Sequence, residues 1–300
     1  MFFISKQPMK HLPKFRKQFK IDPKADLREV AVAVEAIYEA HEISTNFLGA
    51  IDPPNCSEGF RIHSLVNLLG RIFEHSQAML VAIATGSPAS AEALARIVIE
   101  GSINVMYLAV RGDTGTLINF FESWLTEHDL KLTKWKEKIQ GEDYADKVSL
   151  MIEERRGVVI GLENYLRHME VNCSIDKTTK EAEWPKSLFK RFEALHRETD
   201  YYESYHRLSG ASHITGEDTL TWLFSLKFSD VQQHQMAVEA WAYSIMMTRI
   251  ASRFFVEAAA SCVIAYGRRE NEDLQNSRQS LGEAVVTIAK KAGVPVDAQR

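Results

Sequence analysis

Two short runs of the chain carry side chains able to handle protons or phosphate. The denser is Tyr201-Tyr202-Glu203-Ser204-Tyr205-His206-Arg207-Leu208-Ser209-Gly210-Ala211-Ser212-His213, where tyrosines, histidines, serines and an arginine crowd against Gly210. An imidazole can move a proton near neutral pH. A guanidinium can grip two phosphate oxygens and stabilise charge that builds in a transition state. In one continuous helix, Arg207 and His213 would sit about 120° off a common face. Gly210 offers a left-handed helix end that folds His213 back toward Arg207. The competing reading is a plain helix cap, with His213 in a structural hydrogen bond.

The second run is a polar stripe, Arg96, Glu100 and Asn104, at i, i+4 and i+8 in the apolar stretch Ile97-Val98-Ile99, Ile103 and Val105-Met106. Four-residue spacing puts the three on nearly one helix face. Charges on so apolar a helix are costly to bury unless paired. The stripe therefore predicts either an Arg96–Glu100 pair extended by Asn104 or the wall of a polar pocket. Arg71, Glu74 and His75 on the preceding helix are placed to add to it.

A metal reading fails on spacing. Glu193-x-x-His196 and Glu203-x-x-His206 each match the unit used by di-iron bundles, but there the units come from different helices. Here they would lie about 15 Å apart along one helix. Phosphate-cradling G-x-x-x-x-G-K-[ST], dinucleotide-binding G-x-G-x-x-G, the G-x-S-x-G elbow and H-E-x-x-H are all absent. Neither a metal nor a cofactor is expected.

The elements that must position these residues are helices. The chain has 15 Gly and 8 Pro in 300 residues, against about 12% for the two together on average. A chain so poor in turn residues cannot make the many tight turns of a sandwich or barrel. Apolar residues recur at three and four positions, as in Leu27, Val30, Val34, Ile37 and Tyr38. Asp26 and Glu29 have capping-box spacing, and Ser87-Pro88 reads as a helix start. The pattern predicts helices near 27–49, 59–85, 88–111, 114–140, 143–170, 185–205, 219–228, 230–266 and 273–292. Residues 171–183 form a loop, and no internal repeat is evident.

The expected fold is all-α: a single large bundle of about eight or nine long helices over 26–270. A basic arm (1–25) precedes it and an amphipathic tail helix lies within 271–300. The more charged stretch 114–183 reads as a peripheral insertion. Residues 1–24 hold seven basic side chains and only Asp22, whereas the whole chain carries −4. A basic arm on an acidic body is either a solvated leader or a contact for phosphate or an acidic partner.

Cys56, Cys173 and Cys262 are too few and scattered for a disulfide framework, and a reducing cytoplasm fits them. Glu239, Arg249, Arg253 and Glu257 interrupt the longest apolar tract, Met236 to Tyr266, so no membrane span is expected.

The run Arg96-Ile-Val-Ile-Glu100-Gly-Ser-Ile-Asn104-Val-Met-Tyr107, followed by Tyr205-His-Arg-Leu-Ser209-Gly-Ala-Ser-His213, resembles the bacterial all-helical family called domain of unknown function 5677. The second segment is also similar to the R-x(4–6)-H signature of HEPN (higher eukaryotes and prokaryotes nucleotide-binding) domains. Those are helical bundles, often dimeric, and many are metal-independent ribonucleases of toxin–antitoxin and anti-phage systems. The resemblance implies Arg207 as the phosphate contact, His213 as the catalytic histidine, RNA as substrate and a homodimer or regulatory protein as partner. One departure is Leu208, where such nucleases usually carry Asn or Asp after the arginine. The alternative is a non-catalytic binding or oligomerisation module built on a buried polar network of Arg96, Glu100, Asn104, Tyr205 and Ser209.

Overall fold

Local signals set most helix ends. Asp113 accepts from Thr116 N–H at 2.8 Å, and the Thr116 hydroxyl accepts from Asp113 N–H, a reciprocal capping box. Ser229 and Gln232 form another. Pro88 occupies the first position of its helix.

In the computed structural model, which describes residues 9–180, 182–209, 216–268 and 271–291, every regular element is helical. They are α1 (Leu12–Gln18), α2 (Arg28–Gly49), α3 (Cys56–Ala84), α4 (Pro88–Val110), α5 (Thr114–Lys138), α6 (Ala145–Asn172), α7 (Leu188–Ala194) and α8 (Glu198–Asp200). A π-helical turn (Tyr201–His206) and a 3₁₀ turn (Arg207–Ser209) follow, then α9 (Gly216–Ser225), α10 (Asp230–Ala265) and α11 (Glu272–Lys291).

The sequence suggests one bundle without a boundary, but the contacts divide the chain into two units. One holds the described residues of 1–51, 65–110 and 187–300, and the other holds 52–64 and 111–186. No linker marks the boundary near residue 64, because it falls inside the continuous helix α3.

In the first unit α10 packs against α2, α4 and α11. Phe73 of α3 stacks on His41 at 4.0 Å between ring centroids and meets Tyr38 and Phe255. α4 is the one described helix long and apolar enough to cross a bilayer. Its Val98, Ile99, Ile103 and Val105 are buried in the bundle.

Part of the basic arm belongs to this unit. Phe15 of α1 is fully buried, and the backbone N–H groups of His11 and Leu12 donate to Glu35 of α2 at 2.8–2.9 Å. The expected capping box at Asp26 does not form. Asp26 accepts from the Arg28 N–H and binds its guanidinium, and Leu27 takes the N-cap position.

The second unit is built on α5 and α6. Its core is Ile118, Leu125, Leu132 and Ile139 from α5 and just beyond, with Ile152, Val159 and Leu166 from α6. Within each set the spacing is seven residues, the repeat of a left-handed supercoil, and this is the internal repeat that the sequence reading missed. Cys56 and Cys173, read from the sequence as too scattered for a disulfide framework, form a disulfide across 117 residues of chain with Cα atoms 5.1 Å apart, which removes the cysteine argument for a reducing compartment. Sequence distance hides a pair that folding makes adjacent. Cys262 is buried and takes part in no disulfide among the described residues.

The loop after α6 lies over the start of α5. Asn119 Nδ2 donates to the carbonyls of Lys177 (3.0 Å) and Ala182 (2.7 Å). Gly115 makes this approach feasible: a Cβ there would strike the Asp176 carbonyl oxygen and lie 2.9 Å from Ala182 Cβ. Helix propensity favours Gly→Ala by about 1 kcal/mol, but overpacking against a fixed backbone costs about 1–3 kcal/mol. Gly115→Ala is therefore expected to lower the urea midpoint. An unchanged or raised midpoint would show that the loop is not seated on α5.

Candidate functional site

The polar stripe of α4 meets the end of the broken helix that begins at α7. Ser187 caps α7 by accepting from Lys190 N–H at 3.2 Å. The expected continuous helix over 185–205 then stops at Leu195. His196 takes the left-handed conformation (φ 56°), its N–H donates to the Glu193 carbonyl and Arg197 N–H donates to the Phe192 carbonyl, both at 2.9 Å. This is a Schellman motif with His in the place usually held by Gly, so no glycine announces the break.

Beyond it the backbone runs through α8, one π-helical turn and the 3₁₀ turn. Such irregular winding is frequent at functional sites. Here it sends neighbouring side chains opposite ways. Ser204, Tyr205 and Leu208 are buried, whereas His206 and Arg207 are exposed. Phe192, fully buried, packs against Tyr201, Tyr205 and Phe254.

Tyr205 closes the network expected on α4. Its hydroxyl accepts from Arg96 Nη2 and donates to Glu100 Oε2, each at 3.0 Å. The Arg96 guanidinium also lies 4.6 Å from the centre of the Tyr205 ring. The phenol, rather than direct contact alone, couples the two charges. Burial raises the Tyr205 pKa, the Arg96 hydrogen bond lowers it and Glu100 raises it, with a net upward shift. Tyr205 is thus held as a neutral donor and is no nucleophile.

Among the described residues no hydrogen bond joins Asn104 to this network. Its Oδ1 is buried without a hydrogen-bond partner among the described residues. Arg191 of α7, which sequence reasoning missed, is buried beside Glu100. Desolvation lowers its pKa, while the charge of Glu100 opposes that shift. Its signal was only an arginine beside the apolar Phe192.

Arg207 stands apart from this network. It is exposed, and its guanidinium lies 5.4 Å from the centre of the Tyr243 ring of α10. Burial raises the pKa of Tyr243 and Arg207 opposes it. The phenol stays neutral, leaving a ring face that the cation can occupy. Leu208, the departure from the HEPN pattern, is fully buried, so packing accounts for an apolar residue there. Ser209 is half-buried at the end of the 3₁₀ turn. Gly210 and His213, and hence the expected convergence of His213 on Arg207, lie outside the described residues.

Sequence reasoning also missed a cluster around Glu257. Arg253 and Glu257 were visible only as charges interrupting an apolar tract. The structure adds Arg197, from the turn after α7, and Arg278 of α11.

The model of the "Family of unknown function (DUF5677)" matches residues 63–225. No curated protein and no solved structure matches the chain.

Proposed function

The chain belongs to the family of unknown function DUF5677, and we propose that within it the chain is a metal-independent endoribonuclease of bacterial defence or toxin–antitoxin type. The observation that carries this reading is the placement of Arg207. It is exposed, backed by the Tyr243 ring, and in no ion pair among the described residues. A guanidinium spent on the surface in this way suits an incoming phosphate better than a core brace.

In the proposed reaction the 2′-oxygen of a ribose attacks the adjacent phosphorus. The O2′–P bond forms and the P–O5′ bond breaks. His213 takes the 2′-hydroxyl proton or supplies one to the departing 5′-oxygen, with water carrying the other of the two transfers, and Arg207 stabilises the crowded phosphate. The products are a 2′,3′-cyclic phosphate and a 5′-hydroxyl. The role of His213 rests on the sequence resemblance. The reading sets the protein in the cytoplasm because RNA is the available substrate there, although a disulfide such as Cys56–Cys173 is uncommon in that compartment.

The test is incubation of single-stranded RNA with the full chain in excess chelator. Cleavage leaving a 2′,3′-cyclic phosphate is expected, with none at a site carrying a single 2′-deoxy substitution. Cleavage that needs a divalent ion, or no cleavage of any RNA, ends the reading.

We assign a second copy of the chain as partner. α9 begins three residues after His213 and exposes Leu220, Trp222, Leu223 and Phe224. Exposed apolar clusters of this kind mark interaction sites. Light scattering should give a dimer that Trp222→Asp converts to a monomer; a monomeric parent chain rules the assignment out.

The second reading, a non-catalytic module, is favoured by the Arg96–Tyr205–Glu100 bridge, which braces α4 without needing a ligand.

A further inference from the structure

Among the described residues, Glu257 of α10 is the one carboxylate shared by three arginines. Its side chain is 12% exposed. Oε2 accepts from Arg197 Nη1 at 2.5 Å, and Oε1 accepts from Arg253 Nε at 3.0 Å and Arg278 Nε at 2.7 Å. Arg197 also donates to Asp200 at 2.6 Å. Burial raises the Glu257 pKa, but the guanidiniums more than offset it and hold the carboxyl below the usual range.

These side chains line a cleft of about 550 Å³ between α10, α11 and the turn after α7, which Arg268 also borders. That volume is in the range of small-molecule sites. Four guanidiniums (Arg197, Arg253, Arg268 and Arg278) face two carboxylates (Asp200 and Glu257), an excess of two positive charges among the described residues.

The donors are also oriented. Arg253 and Arg278 each use only Nε on Glu257, so their terminal amino groups make no hydrogen bond among the described residues. Arg268 is in no ion pair there and lies over the Phe47 ring at 5.8 Å. Glu257 thus gathers cations that would otherwise repel, and it leaves the terminal amino groups of Arg253 and Arg278 without a hydrogen bond among the described residues that line the cleft. Beneath them the wall is apolar, from Met106, Val256, Val263 and Leu274.

We propose that this cleft binds a small phosphomonoester carrying an apolar body, with the phosphate held by Arg253, Arg268 and Arg278 and the body on the Val256–Leu274 wall. A dianion matches the excess charge, and planar forks match phosphate oxygens. The proposal does not depend on ribonuclease activity, because none of these residues belongs to the Arg207 site.

Calorimetric titration of the full chain with phenyl phosphate, inorganic phosphate and phenol tests it. Phenyl phosphate should bind, inorganic phosphate more weakly, and phenol not at all. Arg268→Ala and Arg278→Ala, both at exposed positions, should each weaken phenyl phosphate about tenfold with little change in melting temperature. Arg71→Ala, paired with Glu74 elsewhere, should change nothing. Failure of phenyl phosphate to bind, or binding indifferent to Arg268 and Arg278, or equally sensitive to Arg71, overturns the site. Equal affinity for inorganic and phenyl phosphate overturns the apolar part of the ligand.

Discussion

His213→Ala should lower metal-free RNA cleavage by a factor on the order of 10²–10⁴, the usual contribution of a positioned acid or base. Arg207→Ala should cost on the order of 10²–10³, as expected for a donor aimed at transition-state charge. Arg207→Lys keeps the charge but loses the planar fork, so it should fall between Arg207→Ala and the parent. Stability should barely respond to the arginine changes. Arg207 is exposed and its contact with Tyr243 is a single cation–ring interaction, worth about 0.5–1 kcal/mol at exposed sites.

Tyr205→Phe separates the two functional readings. It removes the hydroxyl that bridges Arg96 and Glu100 and leaves a partly buried charge pair short of a partner. It should lower the melting temperature while leaving cleavage by the folded protein intact. If His213→Ala instead lowers stability and cleavage is unchanged, the chain is a binding module.

Glu257→Gln should destabilise the first unit by about 3 kcal/mol, because removing one partner from a buried ion pair strands the other. The estimate rests on Arg197, whose side chain is 19% exposed against 12% for Glu257. Arg253 and Arg278 are 39% and 57% exposed and contribute little through screening water.

The pH dependence follows from the direction of the Glu257 shift. Its folded pKa lies below the ordinary 4.5, so folding favours the ionised form. The stabilisation is complete above about pH 4.5 and is lost as pH falls through the folded value. The parent chain should therefore lose stability in acid more steeply than Glu257→Gln, by chemical denaturation at pH 7 and pH 3. Parallel losses would mean that the arginines do not hold the carboxylate.

The helices were legible because their causes are local. Apolar periodicity and end signals such as Asp113 with Thr116 act within four residues, so the predicted 230–266 differs from α10 by one residue at its end. The break inside 185–205 was not legible, because a Schellman motif usually announces itself by glycine and His196 fills that place here. Lys20 and Ser174 likewise carry positive φ at helix ends. The shortage of glycine thus indicated long helices correctly while concealing the stop inside 185–205.

The candidate site was legible in its residue types and not in its partnerships. Arg96, Glu100 and Tyr205 were picked from the sequence, but their bridge spans 105 to 109 residues. Arg197 and Arg278 had no local signal, because an arginine in a turn or on an amphipathic helix looks the same whether it faces water or a buried carboxylate.

By itself, then, the sequence determined an all-α chain, the register of its long helices and the residue types able to handle phosphate, since propensity, periodicity and capping are short-range. The tertiary structure alone decided that the chain forms two units, that Cys56 meets Cys173, that Tyr205 stands between Arg96 and Glu100, and that three arginines converge on Glu257. Each of those depends on which helix faces are buried together, a choice made by packing over the whole chain and written in no short stretch of it.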